Sequence, residues 1–150
     1  MTKQWTTETE IQAPIEVVWG LLNEENLHKI MPQVVEHKPI KITEEGVGTI
    51  YRQKYKEGKR VEEYDVETLE YENTPQFKKM KVGFTLANMF EITATYELQK
   101  MNEDTTKFTY TATNKALKWF VHIMLFFANE AVVTTFAKRV KQVAEEEARR

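Results

Sequence analysis

From Gln4 to Gln12 the chain alternates, with Trp5, Thr7, Thr9 and Ile11 on one side and Gln4, Thr6, Glu8, Glu10 and Gln12 on the other. This two-residue period predicts a half-buried strand with a wholly polar outer face. Ala13-Pro14 ends it. Proline suits a first helical turn, so Ile15 to Leu22 is predicted as a short helix carrying Val18, Leu21 and Leu22 on one side. A second short helix is expected from about Asn26, covering Leu27 and Ile30 and stopping before Pro32.

Between Val34 and Asn114 nothing has helical period, and turn signals recur. Strands are expected at about Val34 to Ile42, Gly48 to Lys56, Lys59 to Tyr71, Gln76 to Phe84, Met89 to Met101 and Thr105 to Thr113. The breaks between them are Glu44-Glu45-Gly46, Glu57-Gly58, Glu72-Asn73-Thr74-Pro75, Thr85 to Asn88 and Asn102-Glu103-Asp104. Connections this short join antiparallel neighbours, because a parallel pair needs a crossover of about a dozen residues or more. The clearest alternation points Phe90, Ile92, Ala94, Tyr96 and Leu98 inward, against Glu91, Thr93, Thr95 and Glu97. By the same reading Tyr51 and Tyr55, then Met80, Val82 and Phe84, then Phe108, Tyr110 and Ala112 face the interior. In the Lys59 to Tyr71 strand, Tyr64, Val66 and Thr68 compete with Leu69 and Tyr71, a conflict that a β-bulge resolves.

Leu117 to about Glu147 contains neither proline nor glycine, so one helix of about 45 Å is expected. Its first half is apolar nearly all round, while Val133, Phe136, Val140 and Val143 form a single stripe in the second. A membrane span within Ala116 to Ala137 is disfavoured by Lys118, His122, Asn129 and Glu130. The whole pattern is α+β: a curved antiparallel sheet of about seven strands, two short helices after the first strand, and a long C-terminal helix over the sheet, all in one domain spanning residues 1–150.

Composition narrows the function classes. Hydrophobic residues at 41% and charged residues at 29% are ordinary for a globular chain. A formal net charge of −2 supplies no field for nucleic acid, so none is expected as a partner. With no cysteine there is no disulfide, thiolate nucleophile or Cys-based metal site. The opening Met-Thr-Lys-Gln-Trp-Thr-Thr-Glu has no apolar signal region, and a cytoplasmic location is expected.

Ile11-Gln12-Ala13-Pro14-Ile15-Glu16-Val17-Val18-Trp19-Gly20-Leu21-Leu22, together with the order of elements, resembles the START-like (SRPBCC) superfamily, which includes the Bet v 1-like birch-allergen fold, and within it bacterial proteins of the polyketide cyclase/dehydrase type. There an Ala-Pro pair is followed closely by Val-Trp and then leucines. The resemblance implies the helix-grip fold and a cavity between sheet and helix. Relatives hold lipids, sterols, polyketides or plant hormones in that cavity, and some catalyse cyclisation or dehydration. It carries no catalytic motif over to numbered positions here.

Aromatic and methionine side chains aimed at one interior are the main functional feature. Tyr51, Tyr55, Tyr64, Phe84, Phe90, Tyr96, Tyr110, Trp119, Phe120, Met124 and Phe127, with Asn129 as a polar anchor, are the expected ligand-binding residues. Phe108 belongs to the same aromatic set. Buried tyrosines need partners for their hydroxyls, and a cavity with a few polar groups provides them. The expected function is binding of a hydrophobic or amphipathic, lipid- or polyketide-like small molecule, without a cofactor. One alternative is a cyclase or dehydrase using a tyrosine, His122 or Glu130 as acid/base. Another is an interaction protein, in which Trp119 to Phe127 forms a homodimer or membrane-surface contact. Glu130 is expected at solvent or paired with a basic residue, and His122 in the core or at its rim. His28 and His37 show no metal-ligand spacing, and no metal is expected. The basic residues Lys54, Lys56, Lys59, Arg60, Lys78, Lys79 and Lys81 read as solvated outer strand faces.

Overall fold

The computed structural model describes residues 2–86, 89–117 and 130–150. Strand β1 (Thr2–Ile11) leads into helices α1 (Ile15–Gly20) and α2 (Leu27–Ile30). Six strands follow, β2 (Val34–Lys41), β3 (Ile50–Glu57), β4 (Arg60–Asn73), β5 (Phe77–Leu86), β6 (Phe90–Asn102) and β7 (Thr105–Ala116), before helix α3 (Glu130–Ala148). They form one seven-stranded sheet in the order β1-β7-β6-β5-β4-β3-β2, with every neighbouring pair antiparallel. Consecutive strands are joined by short turns, while α1 and α2 carry the chain from one edge of the sheet to the other. The curved sheet with its C-terminal helix is a helix-grip fold.

The alternation read from the sequence sets the two faces. Phe90, Ile92, Ala94, Tyr96 and Leu98 are all buried, as are Phe108, Tyr110 and Ala112. In β4 the inward set is Tyr64, Val66 and Thr68, and a register shift between Thr68 and Glu70 then leaves Leu69 outward and returns Tyr71 to the inner face, opposite Met80 and 5.8 Å from the Trp19 ring. Leu69 closes over Gly83 on the outer face; a Cβ there would lie 2.9 Å from Leu69 Cδ1. Gly46 has φ +86, and a Cβ on it would sit 2.5 Å from the Tyr71 ring, so this turn requires glycine on two counts.

The core gathers where α3 meets one flank of the sheet. Val133, Phe136, Ala137, Val140 and Ala144 are the buried side chains of α3, and its sheet contacts are with β1 and β7. Phe136 lies against Tyr96 and Tyr110, with ring centroids 6.0 and 4.6 Å apart. The C-terminal half is also pinned by polar contacts: Lys141 Nζ donates to Glu10 O at 2.6 Å and the Gln12 N–H donates to Glu145 Oε2 at 2.9 Å. Lys29 pairs with Glu147 at 2.8 Å, which fastens α2 to the end of α3. Among the described residues no helix is long and apolar enough to cross a membrane.

Three sequence expectations change. Leu117, expected to open the helix, lies in a bend and donates its N–H to Met89 O at 2.7 Å, extending the β6–β7 pairing. The helix expected from Ile15 to Leu22 closes at Gly20, although Leu21 and Leu22 continue as turn with Leu21 buried. Lys78 is not on a solvated outer face: it shares parity with Met80 and Val82, and its side chain is only 3% exposed. Its ammonium sits 2.9 Å from Glu16 Oε2, donates to Asn73 Oδ1, and lies 5.7 Å from the Trp19 ring centroid. The lysine thus ties β5 to α1 by its charged end, while its methylenes fill space beneath the helix.

Removing that stem should cost more than removing its charge. Lys78→Ala should lower unfolding free energy by about 2 kcal/mol, while Lys78→Met should stay within about 1 kcal/mol of wild type. Urea denaturation of both variants checks this, and an alanine variant as stable as wild type would remove Lys78 from the packing account.

Candidate functional site

A cavity of about 360 Å³ opens between the concave face of the sheet, α1–α2 and α3. Its apolar wall is built by inward positions of neighbouring strands, including Val82, Ile92, Ala94 and Ala112, and by Leu22, Leu27 and Ile30 from the helical segment. From α3 come Ala131, Val132, Thr135, Phe136 and Arg139, one face of the helix at three- to four-residue spacing. Gln33, Ala131 and Thr135 are the lining residues that reach solvent most freely, and they mark the mouth.

Across β2, β3 and β4 the lining turns polar. His37 pairs with Gln53 in the sheet register, and Gln53 pairs with Tyr64. Their side chains join across the strands in the same order. Gln53 Nε2 donates to the Tyr64 hydroxyl at 2.9 Å, and Gln53 Oε1 lies 2.8 Å from His37 Nδ1. With the amide so oriented, His37 carries its proton on Nδ1 and presents Nε2 as an acceptor. Tyr51 stacks on the imidazole at 4.3 Å, and Phe84 stacks on Tyr64 at 4.4 Å. Burial pushes the His37 pKa below its ordinary 6.5, only partly opposed by the Gln53 hydrogen bond and by the charge of Glu24. The ring is therefore held neutral.

Tyr96 and Tyr110 supply a second polar element. Their rings stack at 5.4 Å, and burial raises both phenol pKa values, so both are neutral donors. Neither hydroxyl has a hydrogen-bond partner among the described residues, yet no described buried polar side-chain atom is walled off without one. Both hydroxyls therefore open onto the cavity, where only a guest or water can meet them.

The structure brings together six of the residues expected to bind a ligand: Tyr51, Tyr55, Tyr64, Phe84, Tyr96 and Tyr110 all line the cavity. Phe90 is packed in the core and is not part of the described lining. Trp119, Phe120, Met124, Phe127 and Asn129 lie outside the described residues, as does His122. Glu130 begins α3 at the surface and does not line the cavity. Sequence reading missed His37, Gln53 and Arg139. The signal for Gln53 was present: it shares parity with Tyr51 and Tyr55. No described cluster of three or more His, Asp or Glu side chains offers a metal site.

Residues 2–145 match the family described as polyketide cyclase / dehydrase and lipid transport. The chain belongs to this family. No curated protein matches the sequence significantly. Among solved structures, this polyketide cyclase / dehydrase family member is similar to the Zhui aromatase/cyclase of Streptomyces sp. R1128, with TM-score 0.71 and 11% identity over 100% of this chain and 95% of that one. A norcoclaurine synthase point mutant from Thalictrum flavum, in complex with a transition-state analogue, gives TM-score 0.68 at 19% identity, covering 98% and 96% of the two chains. The major latex-like protein 151 of Panax ginseng gives 0.67 at 15% identity, covering 98% and 97%. At these identities the likeness establishes a shared fold; what each family member binds is set by its own lining.

The neutral His37 has a pH signature. Its folded-state pKa lies below the unfolded value of 6.5, so protonation favours the unfolded chain. The stability this ring contributes is whole above 6.5 and declines as pH falls from there toward the folded pKa. Glu36, Glu70, Glu145 and Glu147, held below their ordinary 4.5, lose their contributions only in more acid solution. The melting temperature should therefore drop between about pH 6.5 and 5 in wild type and stay nearly flat there in His37→Gln. An NMR titration placing the His37 pKa at or above 6.5 would contradict this.

Proposed function

We propose that the protein binds a hydrophobic or amphipathic small molecule, lipid- or polyketide-like, in the cavity between its sheet and C-terminal helix. One observation carries the reading: an interior space of about 360 Å³ walled by aliphatic and aromatic side chains and crossed by a short polar ladder, His37–Gln53–Tyr64. The volume falls within the range of small-molecule sites, about 300 to 1,000 Å³. Burial of the guest's apolar surface drives binding at about 25 cal/mol per Å² before the costs of association. The hydroxyls of Tyr96 and Tyr110 and the Nε2 of His37 then fix its orientation. Tyr51, Tyr55 and Phe84 complete the aromatic lining, and no cofactor is required. A chain without cysteine suits a reducing compartment, and a cytoplasmic location fits the reading.

A catalytic reading would draw its acid/base from the lining tyrosines or this neutral imidazole, because Glu130 stands outside the cavity and His122 lies outside the described residues. Binding is the reading favoured by a wall in which apolar groups predominate and in which no carboxylate is among the described lining residues.

Filling the space tests the proposal. Ala94 lies on the floor of the cavity and is 7% exposed. Ala94→Phe should weaken binding of the neutral fluorophore N-phenyl-1-naphthylamine by about tenfold or more while the protein stays folded by circular dichroism. Undiminished binding would put the probe elsewhere and defeat the reading. Native mass spectrometry of freshly purified protein should show a retained small molecule that Ala94→Phe lacks. Tyr51→Phe and Tyr96→Phe should change the ranking of bound compounds while leaving stability within about 1 kcal/mol, since the Tyr96 hydroxyl has no protein partner to lose among the described residues. Identical rankings would free these hydroxyls of any orienting role.

A further inference from the structure

Arg139 stands where the apolar cavity reaches solvent. It is half-buried, lines the cavity at the end of the α3 face that also presents Thr135 and Ala131, and neighbours the mouth marked by those two residues and Gln33. Elsewhere on α3, Lys141 is paired with Glu145 at 2.8 Å and Glu147 with Lys29. Arg139 has no ion pair and no side-chain hydrogen bond among the described residues. Its positive charge is felt by Tyr55, whose pKa is raised by burial and by Glu57 and opposed by the guanidinium, so cation and phenol share one end of the cavity.

A guanidinium left without a carboxylate beside an apolar space has five donors in a planar fork, the arrangement that grips a carboxylate through two parallel hydrogen bonds. The size of the space limits the body that a bound head group can carry. One water occupies about 30 Å³ of liquid, and a methylene is comparable, so 360 Å³ holds about a dozen non-hydrogen atoms.

We propose that Arg139 is the head-group anchor of this cavity and that its ligand is a carboxylic acid with an apolar body of about a dozen non-hydrogen atoms. This rests on the cavity-binding reading above. The apolar body lies against Val82, Ile92 and Ala94, the carboxylate meets Arg139 at the mouth, and the ligand enters tail first. The His37–Gln53–Tyr64 ladder reads any second polar group along the body.

Competition against N-phenyl-1-naphthylamine on the intact chain at about pH 7, where the acid is ionised, separates the anchor from the cavity alone. Decanoate should displace the fluorophore with about tenfold or greater advantage over 1-decanol, and added salt should weaken decanoate alone. Arg139→Gln should abolish the preference by weakening decanoate while leaving 1-decanol unchanged, and Arg139→Lys should restore part of it. The unchanged alcohol shows that the variant still folds and keeps its cavity. Equal affinity of acid and alcohol for wild type, or a preference that survives Arg139→Gln, would overturn the anchor while leaving the cavity reading intact. Failure of wild type to bind the fluorophore or either competitor would overturn both.

Discussion

A helix seated on one flank of a curved sheet cannot fill the concavity of the other. Helix α3 meets β1 and β7, with the Phe136 ring against Tyr96 and Tyr110, and turns Ala131, Val132, Thr135 and Arg139 toward the cavity. Its position is fixed at the far end by Glu145 on the Gln12 amide, Lys141 on Glu10, and Glu147 on Lys29. Among the described residues α3 therefore does not cover the inward side chains of β3, β4 and β5, and α1 reaches them only at the end marked by Lys78 and Tyr71. Tight packing is the rule for protein interiors, so a space of this size persists only because the surrounding elements are held apart by their own contacts. The cavity, the polar ladder and the exposed hydroxyls all result from that offset.

The polar ladder makes sense within the same constraint. A histidine and a glutamine on the inner face of a sheet would be costly beneath a packed helix, where each needs its full complement of hydrogen bonds. Beside a cavity they satisfy one another across three strands and leave only the outer ring nitrogen for a guest. Stacking of Tyr51 on His37 and of Phe84 on Tyr64 removes much of the freedom of these side chains before a ligand arrives. Binding then costs less ordering entropy than it would at a flexible site.

How much was legible in the sequence depends on the range of the signal. Two-residue alternation located every strand to within a few residues and set the inner face of β6 and β7, because sheet parity is a local property. The competing parities of Tyr64, Val66 and Thr68 against Leu69 and Tyr71 were enough to mark the bulge in β4. Family membership was legible from Ala13-Pro14 through Leu22, where helix start and packing tryptophan lie close in the chain. The ladder was not, since His37, Gln53 and Tyr64 become neighbours only through the register of three strands. Lys78 escaped for a different reason: among Lys79 and Lys81 its charge suggested solvent, although parity with Met80 pointed inward. Parity was the better guide.

Arg139 illustrates why composition and stripe patterns locate cores more readily than sites. On the helix it reads as a charged flank beside Phe136 and Val140, indistinguishable from Lys138 or Lys141. Only the tertiary offset of α3 decides which flank looks into water and which looks across a cavity. Lys141 faces β1 and finds a backbone carbonyl and Glu145, so its charge is spent on holding the helix. Arg139, two residues earlier and about 200° around the helix at 3.6 residues per turn, faces the open half of the grip and finds no carboxylate among the described residues. The same displacement that keeps the cavity empty of protein thus leaves a cation at its edge without a counter-charge from the described residues, and couples the shape of the site to its electrostatics.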